Sequence, residues 1–164
     1  MSSEIQPYIY DPESEDDGEV EVEPIPHRLT MNVSEWCSCD NCERMPLEEE
    51  NICCREIPQV MTRLTDTITP VACMSQHPGL EPVCLNIYAL QKALNDFRTD
   101  HGSLRVRGYQ RRCRHLAYRC FVSWCWGWLG RKVRVVIPAC VVRRIRQEFP
   151  DTEGQYVGFR AALD

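Results

Sequence analysis

Before about residue 30 the apolar residues are too sparse to define a face, and Pro7, Pro12, Pro24 and Pro26 interrupt any period among a run of acids. Such a stretch cannot bury enough surface to offset its ordering entropy, so residues 1–30 are expected to form a disordered acidic tail. Trp36 opens the part that can fold. Between Pro58 and Gly79 repeated prolines leave room for a short helix, Gln59–Leu64, and then loop. Glu81 and Pro82 supply a helix start, and Val83, Ile87, Leu90, Leu94 and Phe97 then recur at spacings of four, three, four and three. Tyr109 to Trp126 predicts a second helix with Cys113, Leu116, Cys120, Phe121 and Trp124 as its buried stripe. Val133–Ile137 reads as a short strand, Pro138 suits the first turn of a helix over Ala139–Phe149, and Asp151–Phe159 reads as a turn-rich tail packing Tyr156 and Phe159. The pattern predicts a small α+β domain, helix-rich with a few short strands.

Length and composition narrow the class. The 164 residues, 43% of them hydrophobic, suffice for one modest core. No run of eighteen apolar residues offers a membrane span, and the first thirty residues lack a signal-peptide pattern, so a cytoplasmic or nuclear setting is expected. Eleven cysteines in such a reducing setting favour metal ligation over disulfides. The net charge of -5 hides an asymmetry: residues 1–30 hold nine acids against Arg28, whereas residues 101–146 hold twelve Lys and Arg and no acid. That basic block needs counter-charge, either from solvent and the acidic tail or from an anionic ligand such as a nucleotide, nucleic acid or acidic lipid.

The cysteines are concentrated in Cys37–Cys54, five thiols in eighteen residues. Cys39 and Cys42 form a Cys-x-x-Cys turn, the common local half of a structural zinc site. Cys53 and Cys54 are adjacent, so their side chains diverge and suit two neighbouring ions better than one. Cys73 is a further candidate ligand, and Cys140, if it binds metal, would clamp the cysteine stretch to the basic C-terminal helix. A Cys-x-x-Cys redox pair is the competing reading, but it wants a strand before it and a helix after it. His77, in a turn before Pro78, is expected to be exposed, and Cys84 to be buried filler. On the Tyr109–Trp126 helix, Arg111, Arg114, His115 and Tyr118 share a sector, so guanidinium, imidazole and phenol stand side by side as a phosphate and base platform.

Three stretches carry a likeness: Cys-Arg-His-Leu-Ala-Tyr-Arg-Cys at 113–120, Ile-Pro-Ala-Cys at 137–140, and the motif running from Arg144 through Gln155-Tyr156-Val157-Gly158-Phe159. With Trp124 and the Cys-x-Cys-x-x-Cys and Cys-Cys elements, they resemble the C-terminal cytoplasmic (ballast) domain of the type-seven ATP-gated P2X purinoceptors and the stand-alone proteins that carry only that domain. The resemblance covers roughly residues 35–160. It implies a cytosolic fold with a dinuclear zinc centre and a bound guanine nucleotide, GDP or GTP. The implied zinc ligands are Cys39, Cys42, Cys53, Cys54, Cys73 and Cys140, with Cys37 left outside. The implied nucleotide contacts are Arg114, His115 and Tyr118, with Arg144 and Arg146 as nearby basic candidates. Val142 and Asp151 stand where the receptors have basic residues, which implies a weaker phosphate site or one rebuilt from Arg143 and Arg111.

A Gly-x-x-x-x-Gly-Lys-Ser/Thr loop is absent, so hydrolysis is not expected. The first expectation is a non-catalytic, zinc-containing module that binds a guanine nucleotide and serves in signalling or interaction. A zinc-stabilised nucleic-acid binder using residues 105–146 is the alternative, and a thiol redox or metal-transfer protein is third.

Overall fold

The fold is assembled around the helix Tyr109–Trp126. The computed structural model describes residues 27–129 and 133–159, and its α-helices are α1 Val33–Trp36, α2 Pro58–Leu64, α3 Ile87–His101, α4 Tyr109–Trp126 and α5 Ala139–Glu148. Three short 3-10 turns (Glu48–Glu50, Cys54–Glu56, Met74–Gln76) and a wide π turn, Glu81–Leu85, connect them. Helices α2, α3 and α5 and the π turn all pack on α4. Its buried face is Cys113, Leu116, Ala117, Phe121 and Trp126, and Phe121 is fully enclosed. Gly127, at φ 80°, ends it by turning the chain where a side chain would be strained.

Most of the acidic tail, residues 1–26, lies outside the described residues. From His27 onward the chain is held: the Arg28 amide donates to Glu48 Oε1 at 2.7 Å, and its guanidinium donates to the Asn51 carbonyl at 2.8 Å and to both carboxylate oxygens of Glu56. Asn51, only 2% exposed, pins the cysteine-rich loop from within. Its Oδ1 accepts from the Met45 amide, and its Nδ2 donates to the Met45 and Leu47 carbonyls. That stretch is therefore part of the core, with Met45, Cys53, Cys54 and Ile57 enclosed.

Two of the expected elements are corrected. The helix expected to run on from Glu81 is broken at Asn86, which is extended and whose side chain caps α3 by accepting from the Tyr88 and Ala89 amides. The α+β class is not met, because the described residues contain no strand. Val133–Ile137 lies without a regular partner, and the Tyr118 hydroxyl takes the partner's place at Val135, donating to its carbonyl at 2.8 Å and accepting from its amide at 3.3 Å. Tyr118→Phe leaves both backbone groups unpaired in a buried segment and is expected to cost about 1–3 kcal/mol, read as a lower denaturant midpoint with unchanged slope.

His77 is neither exposed nor idle. Its Nδ1 accepts from the Gly79 amide at 2.8 Å, which leaves Nε2 to donate to the Arg63 carbonyl at 3.0 Å, and its ring meets Trp124 edge-on. Gly79 is required there, since a Cβ would fall 2.9 Å from the Trp124 ring. Cys84 is fully buried, and burial pushes its thiol up, as expected of a packing residue.

Candidate metal centre and arginine cavity

The thiols gather into two groups that share a member. Cys37, Cys39, Cys42 and Cys53 place their Sγ atoms within 4.8 Å of one another, and so do Cys39, Cys54, Cys73 and Cys140. Four sulfurs at about 2.3 Å from a central zinc would lie about 3.8 Å apart along each tetrahedral edge. Cys37 to Cys39 is 3.6 Å and Cys39 to Cys42 is 3.7 Å, so the donor set fits that group. Seven thiols with Cys39 in common give each of two ions four sulfurs. All six ligands implied by the resemblance fall in these groups, and the structure adds Cys37, which the resemblance had set aside.

The electrostatics show why protons alone serve the cluster poorly. The neighbouring sulfurs of Cys39, Cys42, Cys54 and Cys73 push the Cys140 thiol up, while Cys140 in turn holds Cys39 and Cys73 down. Contacts with Cys42 and then Cys54 hold Cys53 down. The crowded, buried thiols thus compete for protons, and a bound dication would displace those protons and offset part of the thiolate charge.

Every part of the cluster is tied to α5. Cys140 lies in its first turn, the Ala139 amide donates to the Ile52 carbonyl at 2.9 Å, and Arg143 reaches the Asn41 carbonyl. Beside α5 opens a cavity of about 370 Å³. Its walls come from α4 (Arg111, Arg114, His115, Tyr118), α5 (Val142, Ile145, Arg146), the loops carrying Arg105 and Arg134, and the tail from Tyr156 to Phe159. Arg114 and Arg146 both stack on Tyr156, at 4.9 and 4.6 Å from the ring centre. Arg114 also donates to the Phe149 carbonyl and lies 4.0 Å from Asp151. Glu50 is the one carboxylate in the described wall, and it accepts from the Phe159 amide at 3.1 Å.

The family model of the P2X purinoreceptor 7 intracellular domain matches residues 3–160. The chain belongs to this family. P2X purinoceptor 7 of Mus musculus is 32% identical over 130 residues, covering 76% of this chain and 20% of the relative. P2X purinoceptor 7 of Rattus norvegicus is 27% identical over 146 residues, covering 86% of this chain and 22% of the relative. The chain thus spans about a fifth of the length of these relatives. Among the described residues no helix is long and apolar enough to cross a membrane.

Of the nucleotide contacts implied by the family likeness, Arg114, His115, Tyr118 and Arg146 face the cavity. Arg144 does not, and pairs instead with Glu148 at 2.9 Å on the outer side of α5. Two residues from Arg146 along a helix is about 200°, so the two arginines cannot share a wall. Arg143 turns to the cysteine loop, so any rebuilding of the site falls to Arg111, with Arg105 and Arg134. Those two sit in irregular segments, where no periodicity could have pointed them inward.

His115 enters as a neutral group. Burial, then the charges of Arg119, Arg134 and Arg111, push its imidazole down to about 4. With the folded value below the unfolded value of about 6.5, the unfolded chain binds the extra proton, so this contribution is intact above pH 6.5 and is lost as pH falls toward 4. Between pH 7.5 and 5.5 His115→Gln is expected to lose about 1.4 kcal/mol less stability than the native chain, measured by urea unfolding at both pH values.

Proposed function

We propose that the chain is a non-catalytic, zinc-stabilised module of the cytoplasm that binds a guanine nucleotide, GDP or GTP, and acts in signalling or interaction. The observation that carries the reading is that α5 serves both sites: its first turn brings Cys140 to the thiol cluster, and its next turns bring Val142, Ile145 and Arg146 to the cavity. Two zinc ions, held by Cys37, Cys39, Cys42 and Cys53 and by Cys39, Cys54, Cys73 and Cys140, would supply structural cross-links; with four sulfurs each, neither ion keeps an open position for chemistry.

Several features support a nucleotide in the cavity. Its volume is within the range of small-ligand sites. The arginine forks suit phosphate oxygens, and the neutral His115 and the apolar Val136, Ile137 and Val142 suit a ribose and base. The Glu50 carboxylate, whose two oxygens accept from the Leu47 and Phe159 amides, keeps a further lone pair on each oxygen that matches the paired N1–H and N2–H donors of guanine, which adenine lacks. The arginines converge on a concavity instead of forming a stripe, which favours a small anion over a nucleic-acid backbone. Calorimetric titration of the zinc-loaded chain with GDP, ADP and a single-stranded RNA tests this. Stoichiometric GDP binding with ADP at least tenfold weaker is expected, and RNA binding without GDP binding would overturn it.

A further inference from the structure

We propose that the acidic segment Asp11–Glu23 docks in this chain's own arginine cavity, as a tethered competitor of whatever anion the cavity takes. The cavity wall holds Arg105, Arg111, Arg114, Arg134 and Arg146 against the single carboxylate of Glu50. Among the described residues, Arg105, Arg111 and Arg134 have no carboxylate within ion-pair distance. Asp11–Glu23 carries eight acids and no Lys or Arg.

The attachment point favours this cavity over other faces. The Arg28 amide is bound to Glu48, and the Arg28 guanidinium to the carbonyl of Asn51. Glu50, which lies between those two residues, is itself part of the cavity wall. The tail therefore enters the fold beside the short segment that carries Glu50, held to the residues on either side of it. Glu23 is five residues from Arg28 and Asp11 seventeen, so their reach is at most about 18 and 60 Å. The other large concavity, between α3 and α4, offsets Arg119 and Arg134 with Asp96 and Asp100 in its lining, so it draws the same segment less strongly than a wall of five arginines against one carboxylate. Carboxylate forks on guanidinium satisfy the arginines as phosphate oxygens would, and the tether holds the acids at an effective concentration of about millimolar.

The proposal shares with the nucleotide reading only the anion-binding character of the cavity. The test compares the full chain with a full-length variant in which Glu13, Glu15, Asp16, Asp17 and Glu19 are changed to Gln or Asn. Without added ligand, the Nε–H NMR signals of Arg105, Arg111 and Arg134 should move between the two chains. The difference should vanish in about 0.5 M salt, where the screening length is about 4 Å. Unmoved signals overturn the docking whatever GDP does, whereas moved signals without GDP binding support the docking and reject the nucleotide. Inorganic pyrophosphate, titrated into both chains, should bind the neutralised variant about tenfold more tightly at low salt, as expected for a weak tethered competitor. Equal affinities would overturn the competition.

Discussion

Cys39→Ser is expected to disrupt both metal positions at once and leave the chain largely unfolded, whereas Cys37→Ser should disrupt one position, keep the other ion and lose less of the helical signal. Cys39 is the only thiol common to the two groups, and Cys37 belongs to one. Structural zinc supplies about 10–16 kcal/mol of apparent binding energy per site at neutral pH, against a typical net domain stability of about 5–15 kcal/mol. Losing both sites therefore exceeds what the rest of the core can hold. Cys84→Ser is the control: an equally buried thiol outside the groups, costing about 1–3 kcal/mol with metal content unchanged. Metal analysis of each variant, paired with helical circular dichroism, separates the three outcomes. A folded, metal-free Cys39→Ser chain would contradict the structural role of the ions.

The second large effect concerns the arginines of α5. Arg146→Ala is expected to weaken GDP binding roughly 10- to 150-fold, the value of a charge-assisted hydrogen bond of about 1.5–3 kcal/mol, with zinc content unchanged. Arg144→Ala should change affinity less than twofold, because its guanidinium is spent on the exposed Glu148 pair, which contributes about 0.3–0.5 kcal/mol. Cys54→Ser should lower both zinc content and GDP affinity, since the group it completes contains Cys140 and so positions the helix that carries Arg146. Equal losses for Arg144→Ala and Arg146→Ala would show that the effect is bulk charge and not the cavity.

Much of this arrangement was legible in the residues. Helix α4 was readable end to end because its periodic run continues unbroken to Gly127, and α5 because Pro138 marks its start. The thiol groups were readable from the Cys-x-x-Cys turn and from adjacent Cys53 and Cys54, whose diverging side chains fall in different groups. Other features depended on partners distant in sequence. Val133–Ile137 has strand composition, but its backbone is satisfied by a tyrosine hydroxyl seventeen residues away. Glu50 and Asn51 lie at the end of a run that reads as solvated acid, yet one lines the cavity and the other pins the cysteine loop. Cys37 was set aside by resemblance, although its spacing of two from Cys39 already placed it within reach. The inward turn of Arg146 and the outward turn of Arg144 could have been read from helical geometry alone.

Native mass spectrometry of the purified full chain, before and after zinc chelation, tests the link between thiol cluster and cavity most directly. The predicted spectrum shows two zinc ions and one guanine nucleotide per chain, with both lost together on chelation as the charge-state distribution shifts to that of an unfolded chain. A metal-free chain that keeps its nucleotide and its folded charge states would contradict that link.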